Sequence, residues 1–318
     1  MRRLSIACSV VAVLIAAALG SAQPQSVDLM FKGTPGSQSR YETALNMAME
    51  LTAGQPGGGV QLTIKPSLDG KAVTVTRVVK TNENGDLILG TKVESFDFTL
   101  DVADLHAQLA IAGPGGGPPV LFKLPELPIQ TVMTERGKVT SLEGLEKLLG
   151  ALPGPAGKKP DLGPLIAKAL DKFSQPAFPE KPVSVGDTWQ WKMVMDPAAM
   201  MTSMGMPVPA EAKEQIGKLK FPIENTSKLV GFETLEGIEC AKIEANAPWE
   251  LNAPVGPPKG EQMTLHETGL TRCTTWFDYA AGRKVRELTD ISFDLSVGSP
   301  SATVMKMNMK ATADMRLK

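Results

Sequence analysis

Apolar and polar residues alternate along most of this chain, and this pattern restricts its fold more than any other feature. In the stretch 41–51 the large apolar side chains occupy odd positions: Tyr41, Leu45, Met47, Met49 and Leu51. The stretch 303–317 repeats the pattern, with methionines at the odd positions 305, 307 and 309 and polar residues between them. Alternation with a period of two predicts β-strands that bury one face. The chain should therefore build a large sheet.

Short turn signals separate the alternating stretches and predict antiparallel hairpins. They lie at Asp69-Gly70, Asn82–Gly85, Glu135–Gly137 and Ala281-Gly282. Glycine and asparagine accept the backbone angles that tight hairpin turns require. We therefore predict two β-meanders, one before and one after the middle of the chain.

The middle of the chain has the pattern of helices instead. Ser141 precedes the stretch 142–149, in which four leucines are interspersed with charged residues and a glycine, and Asp161 precedes an apolar stripe that ends at Phe173. Both acceptors can cap a helix that buries one face. The stretch 102–112 could form a further amphipathic helix. The predicted fold class is α+β, with an antiparallel sheet and two or three helices inserted between two β-meanders. We expect an extended segment over 23–40 and one domain over 41–318, with the helical insertion at 141–174.

The first 22 residues have the three-part layout of a secretory signal peptide. Arg2 and Arg3 form a basic start, residues 4–19 are almost wholly apolar, and Gly20-Ser21-Ala22 offers small residues before a cleavage site. The apolar run is shorter than the roughly 20 residues that a membrane-spanning helix needs. Ser5–Cys8 resembles a lipoprotein cleavage box, but it lies ahead of the apolar run. We expect an exported periplasmic or extracellular protein with no transmembrane segment in the mature chain.

Export makes the cysteines informative. Cys240 and Cys273 follow the signal segment, and an oxidising compartment favours pairing of two such residues. Pairing requires their strands to be neighbours, with Cα atoms within about 7 Å. The alternative is two separate buried thiols.

Signatures of catalysis are missing from the sequence. It contains no G-x-S-x-G, H-E-x-x-H, Walker or dinucleotide-binding pattern. Its two histidines, His106 and His266, have no local partner pattern of a catalytic or metal site. A net charge of −1 argues against a nucleic-acid partner. We expect no catalytic residues, metal or cofactor, and a chain that is not an enzyme.

Methionine and tryptophan at alternate positions mark the candidate site. The predicted apolar lining consists of Met47, Met49, Trp189, Trp191, Met305, Met307 and Met309. Methionine is flexible and polarizable, so it adapts to variable apolar partners. These side chains either fill a core or line a cavity for an acyl chain or an apolar peptide segment.

Two motifs carry a resemblance to known proteins. Phe178–Trp189 contains P-x-x-P-V-x-V-G-D-x-W, and Trp276–Gly282 reads W-F-D-x-x-x-G. Both resemble uncharacterised exported bacterial proteins whose overall pattern is similar to periplasmic lipoprotein-carrier and lipid-binding half-barrels. The resemblance implies a large, curved, half-barrel-like sheet. It also implies a binding protein for a lipid or an acylated protein, with any further protein partner unknown. A structural or interaction module of the cell envelope is the alternative, and a hydrolase is the third hypothesis.

Overall fold

The described part of the chain folds into one antiparallel sheet. In this computed structural model the described residues are 26–54, 62–101, 120–123, 128–144, 177–195, 221–255, 263–299 and 302–318. The strands are β1 (Gln38–Ala53), β2 (Leu62–Ile64), β3 (Ser67–Thr81), β4 (Leu87–Asp101), β5 (Val120–Lys123), β6 (Pro128–Met133), β7 (Val139–Glu143), β8 (Thr188–Met195), β9 (Phe221–Leu235), β10 (Ile238–Val255), β11 (Met263–Asp278), β12 (Arg283–Ser299) and β13 (Ala302–Leu317).

The strand order places the first and the last described strands side by side at the centre of the sheet. The order is β7-β6-β4-β3-β1-β13-β12-β11-β10-β9-β8, while β2 pairs with β1 and β5 pairs with β4. The first strand, β1, pairs with the last, β13, from Tyr41 opposite Leu317 to Ala53 opposite Met305. The two predicted meanders are thus joined edge to edge. Among the described strands, β7 and β8 are the two edges, and they do not pair with each other.

The predicted α+β class is wrong, because the described part of the chain is all-β. Ser141, predicted as a helix cap, lies in β7 opposite Val132 of β6. The hairpin turn before β7 brings the segment alongside β6, so pairing between strands overrides the local capping signal. The remainder of the predicted insertion, from residue 145, and the stretch 102–112 lie outside the described residues.

The turn signals succeed except at one position. Hairpin turns join β3 to β4, β6 to β7 and β11 to β12 as predicted. The turn at Asp69-Gly70 is wrong, because both residues lie inside β3, where Gly70 is opposite Leu45 of β1. Strand pairing on both sides keeps this dipeptide extended.

Glycines in two of these turns accept a close neighbour. Gly137 and Gly282 have φ angles of +84° and +68°, a region that side-chain-bearing residues rarely adopt. A Cβ at Gly137 would lie 2.7 Å from Cε2 of Phe31. One at Gly282 would overlap the backbone of Lys32, whose amide donates to the Gly282 carbonyl at 3.0 Å. The segment before β1 therefore lies directly on both turns.

These contacts build a packed core at one end of the sheet, here called the packed end. Its buried members are Val27, Leu29, Phe178, Val183, Leu229, Phe232, Ala241, Ile243 and Phe277. The rings of Phe31, Phe178 and Phe277 lie 4.6 to 5.3 Å apart, a separation at which aromatic pairs attract each other. The predicted extended segment over 23–40 thus contributes core residues.

A buried arginine ties the packed end together. Arg136, in the turn between β6 and β7, donates to the carbonyl of Leu29 at 2.8 Å and to that of Glu180 at 3.2 Å. It also pairs with the carboxylate of Asp28. One side chain therefore connects three segments that are distant in sequence.

Candidate functional site

One face of the central strands is apolar, and we call it the apolar face. It is defined by the residues that lie side by side across β1, β13, β12, β11 and β10. Starting from the end opposite the packed end, the rows are Ala53, Met305, Val297, Leu265 and Ala253; Leu51, Met307, Leu295, Glu267 and Leu251; Met49, Met309, Phe293, Gly269 and Trp249; and Met47, Ala311, Ile291, Thr271 and Ala247.

The opposite face of the same strands is polar. One of its rows contains Glu50, Asn308, Asp294, Thr268 and Glu250. A cavity of about 170 Å³ on this face is bordered by Arg272, Asp290 and Lys310. This volume is below the roughly 300 Å³ at which ligand pockets typically begin. The sheet is thus amphipathic, and its candidate binding surface is the apolar face.

The apolar face is not equally covered along its width. Ile223, Ala247, Leu251 and Ala253 are buried and form one cluster, against which Trp249 and Leu265 pack. The methionines of β1 and β13 are only half-buried. The part of the face on β1 and β13 is therefore more accessible than the part on β10.

The structure brings five of the predicted lining residues together. Met49 lies directly opposite Met309, and Met47 lies opposite Ala311 in the next row. Met305 and Met307 continue the same line on β13. These methionines form a continuous stripe at the centre of the sheet.

The two predicted tryptophans lie elsewhere, on edge strand β8. Trp189 packs against the core of the packed end, and its indole nitrogen donates to the carbonyl of Ala177 at 3.0 Å. Trp191 is half-buried and opposite Asn225 of β9. The structure therefore does not bring either tryptophan into the methionine stripe.

The sequence reasoning missed a carboxylate on the apolar face. Glu267 is only 7% exposed, and it lies between Leu251 and Leu295 on the neighbouring strands. The indole Nε1 of Trp249 donates to its Oε1 at 2.9 Å. Burial raises the pKa of the Glu267 carboxyl, and the hydrogen bond from Trp249 offsets part of that rise. The available signal was its odd position, which in this strand belongs to the buried side.

A glycine makes room for the tryptophan that holds this carboxylate. Gly269 lies directly opposite Trp249. A Cβ at Gly269 would lie 2.5 Å from Cη2 of the indole and closer still to Cζ2 and Cε2. The ring of Trp249 therefore occupies the space that any other residue at position 269 would fill.

The predicted disulfide is wrong, because both cysteines are free. Their strands, β10 and β11, are neighbours, but Cys273 lies opposite Ala245, five positions along β10 from Cys240. That offset corresponds to about 17 Å along the strand. Burial, with a contribution from Asp278, raises the pKa of the Cys240 thiol to about 11. The alternative of two separate thiols is the one observed.

Polar groups separate the apolar face from the packed end. Thr275 donates to Glu287 at 3.1 Å, and the ammonium of Lys284 pairs with the same carboxylate. The Thr289 hydroxyl donates to the Cys273 sulfur at 3.6 Å. Burial alone would lower the pKa of Lys284, but the charge of Glu287 and the hydrogen bond to it, with smaller contributions from Cys273 and Tyr41, together raise the pKa. These groups satisfy one another.

The histidine in the described part of the chain, His266, lies on the polar face. His266 is exposed, and its Nδ1 lies 2.5 Å from Oδ1 of Asn252. His106 lies outside the described residues. No group of three or more histidine, cysteine, aspartate or glutamate side chains suited to a metal ion is found in the described ranges. Nor does any helix there have the length and apolarity to cross a membrane.

Comparisons with known proteins give structural likenesses only. No protein-family model matches the chain, and no curated protein matches it. Lipovitellin, from a study of its lipid–protein interactions, is 10% identical over 90% of this chain, with a TM-score of 0.44, and the match covers 25% of lipovitellin. A protein with a YmcC-like fold from Bacteroides fragilis is 12% identical, with 91% of this chain and 99% of that chain covered and a TM-score of 0.18. A DUF1329 family protein from Desulfovibrio piger is 10% identical, with 89% and 87% covered and a TM-score of 0.12.

Proposed function

We propose that this chain is an exported, non-enzymatic protein that binds the acyl chain of a lipid or of an acylated protein on its apolar face. The observation that carries the proposal is the half-buried methionine stripe of β1 and β13. Export rests on the layout of residues 1–22, and determination of the N-terminal residue of the mature protein tests it.

The shape of the stripe suits an extended hydrocarbon. The rows from Ala53 to Met47 span seven residues of β1, which corresponds to about 20 Å along the strand. Contiguous apolar surface of this kind on a soluble protein marks a binding or interaction site. Methionine side chains can change rotamer to fit chains of different length and saturation. An acyl chain therefore matches both the length and the chemistry of the stripe.

Replacement of Met307 and Met309 by lysine tests the binding surface. A buried ammonium in an apolar site is costly, so binding of an apolar fluorescent dye and of lipid should fall strongly. The matched control replaces Lys306 and Lys310, which are exposed on the polar face, with glutamine. The control should bind as the unmodified chain does. A folded lysine variant that binds normally would contradict the proposal.

A structural module with a filled core is the second candidate. The deep burial of Ile223, Ala247, Leu251 and Ala253 favours it, since such residues are part of a packed interior. In that case the double lysine variant should lose cooperative unfolding, and organic extraction of the unmodified protein should release no lipid. Lipid that co-purifies in stoichiometric amount favours the acyl-binding function.

A further inference from the structure

Glu267 is the one ionisable side chain in the rows that define the apolar face on the five described strands. Leu251 and Leu295 flank it across the sheet, and Met307 lies one strand further in the same row. Its exposure of 7% means that the residue as a whole has lost most of its contact with water. An apolar residue at this position would complete the surface at lower cost.

No lysine or arginine occupies the same rows, so nothing there neutralises this carboxylate. Beyond these rows, on the same side of β11 and β12, the nearest cation among the described residues is Lys284. It already pairs with Glu287. Glu287 lies opposite Thr275, eight residues along β11 from Glu267, or about 27 Å. Within the described part of the chain, Glu267 accepts its hydrogen bond from the indole of Trp249.

The residues around Glu267 hold its carboxylate in a fixed position. Trp249 reaches the carboxylate because the absent side chain of Gly269 leaves room for its ring. Trp249 is itself held by the buried cluster of β9 and β10. The indole donor therefore fixes one oxygen of Glu267 in a rigid frame, next to the apolar surface on which an acyl chain would lie.

We infer that Glu267 binds the polar end of the ligand, and that this polar end is a primary ammonium group. The inference rests on the proposed function, because it needs the hydrocarbon to lie on the apolar face. A carboxylate accepts hydrogen bonds and attracts a positive charge, whereas an ammonium supplies three donors. Such charge-assisted bonds are about twice as strong as neutral ones. A free fatty acid would instead place its own carboxylate against Glu267 and be repelled.

Binding of two ligands that share one hydrocarbon chain tests the assignment. We expect the unmodified protein to bind tetradecylamine at least about tenfold more tightly than tetradecanoic acid, as one charge-assisted hydrogen bond allows. Glu267→Gln should reduce this preference to less than about threefold. Glu250→Gln is the matched control, because Glu250 is exposed on the polar face of the neighbouring strand. It should retain the full preference.

A further ligand keeps the test independent of how the Gln variant folds. The trimethylated form of tetradecylamine keeps the positive charge but has no N–H donor. The unmodified protein should bind this form about tenfold more weakly than tetradecylamine. Equal affinity for the amine and the acid, or an amine preference that survives Glu267→Gln, would overturn the assignment of Glu267 while acyl binding stands. If the unmodified protein binds neither ligand, both the assignment and the proposed function fail.

Discussion

Replacement of Gly269 by alanine should remove Trp249 from its place. The added methyl group would occupy the position of the indole ring, so the ring has to swing out of the cluster on β10. Burial of a large apolar side chain contributes about 1.5–3 kcal/mol. Trp249 is half-buried, so we take the lower value for its loss.

Two further effects nearly cancel. Loss of the hydrogen bond to Glu267 costs about 0.5–1.5 kcal/mol. Alanine in a strand is better than glycine by about 0.5–1 kcal/mol, because it has less freedom to lose on folding. We therefore expect Gly269→Ala to lower the free energy of unfolding by about 1.5–2 kcal/mol.

Urea denaturation measures this change, and tryptophan emission reports where the ring goes. The emission of Trp249 is obtained as the difference between each protein and its Trp249→Phe counterpart, and it should shift towards that of exposed tryptophan. Gly231→Ala in β9 is the control, since a Cβ there meets nothing within 4 Å. It should leave stability unchanged or slightly raised. A Gly269→Ala variant of normal stability and unchanged Trp249 emission would refute the reasoning.

Three further outcomes are expected. Arg136→Met should lower the free energy of unfolding by about 2–4 kcal/mol, because it leaves buried carbonyls without a donor. The exposed Arg40→Met should cost less than about 1 kcal/mol in the same urea titration, and equal effects would contradict the role of Arg136. Hydrogen bonds from two arginines hold the pKa of Asp314 at about 2, below its unfolded value of 3.8, so its contribution is present above pH 3.8 and lost as the pH falls towards 2. Asp314→Asn should flatten the stability profile over that range, and an unchanged profile would contradict the assignment. Thiol titration checks the cysteines in a chain that begins at residue 23. After unfolding without reductant it should find both Cys240 and Cys273 as free thiols, whereas Cys240 should be unreactive before unfolding. Absence of free thiols after unfolding would show that the two cysteines form a disulfide.

Alternation and turn chemistry predicted much of the sheet. Odd-position methionines predicted the apolar faces of β1 and β13, and the glycine turns at 85, 137 and 282 predicted three hairpins. Both signals are local: the first depends on which face a side chain occupies and the second on backbone angles. Both signals therefore predict well which segments form strands.

The failures concern pairing between distant segments. Ser141 has a capping side chain, but pairing with Val132 decides its conformation. Cys240 and Cys273 lie on neighbouring strands, and only the register shows that they are far apart. The odd position of Glu267 indicates the buried side of its strand, but only the register shows that Leu251 and Leu295 flank it. Register depends on partners remote in sequence, so one segment alone does not contain it.

The meeting of β1 and β13 at the centre of the sheet has a consequence for the order of folding. The described sheet is incomplete until β13 is available to pair with β1, and contacts between such remote segments form slowly. Until then β1 and β12 both present unpaired edges beside apolar side chains, and such edges promote aggregation. Removal of β13 would therefore divide the sheet into two halves rather than shorten it by one strand. Each half would have a new unpaired edge strand that promotes aggregation.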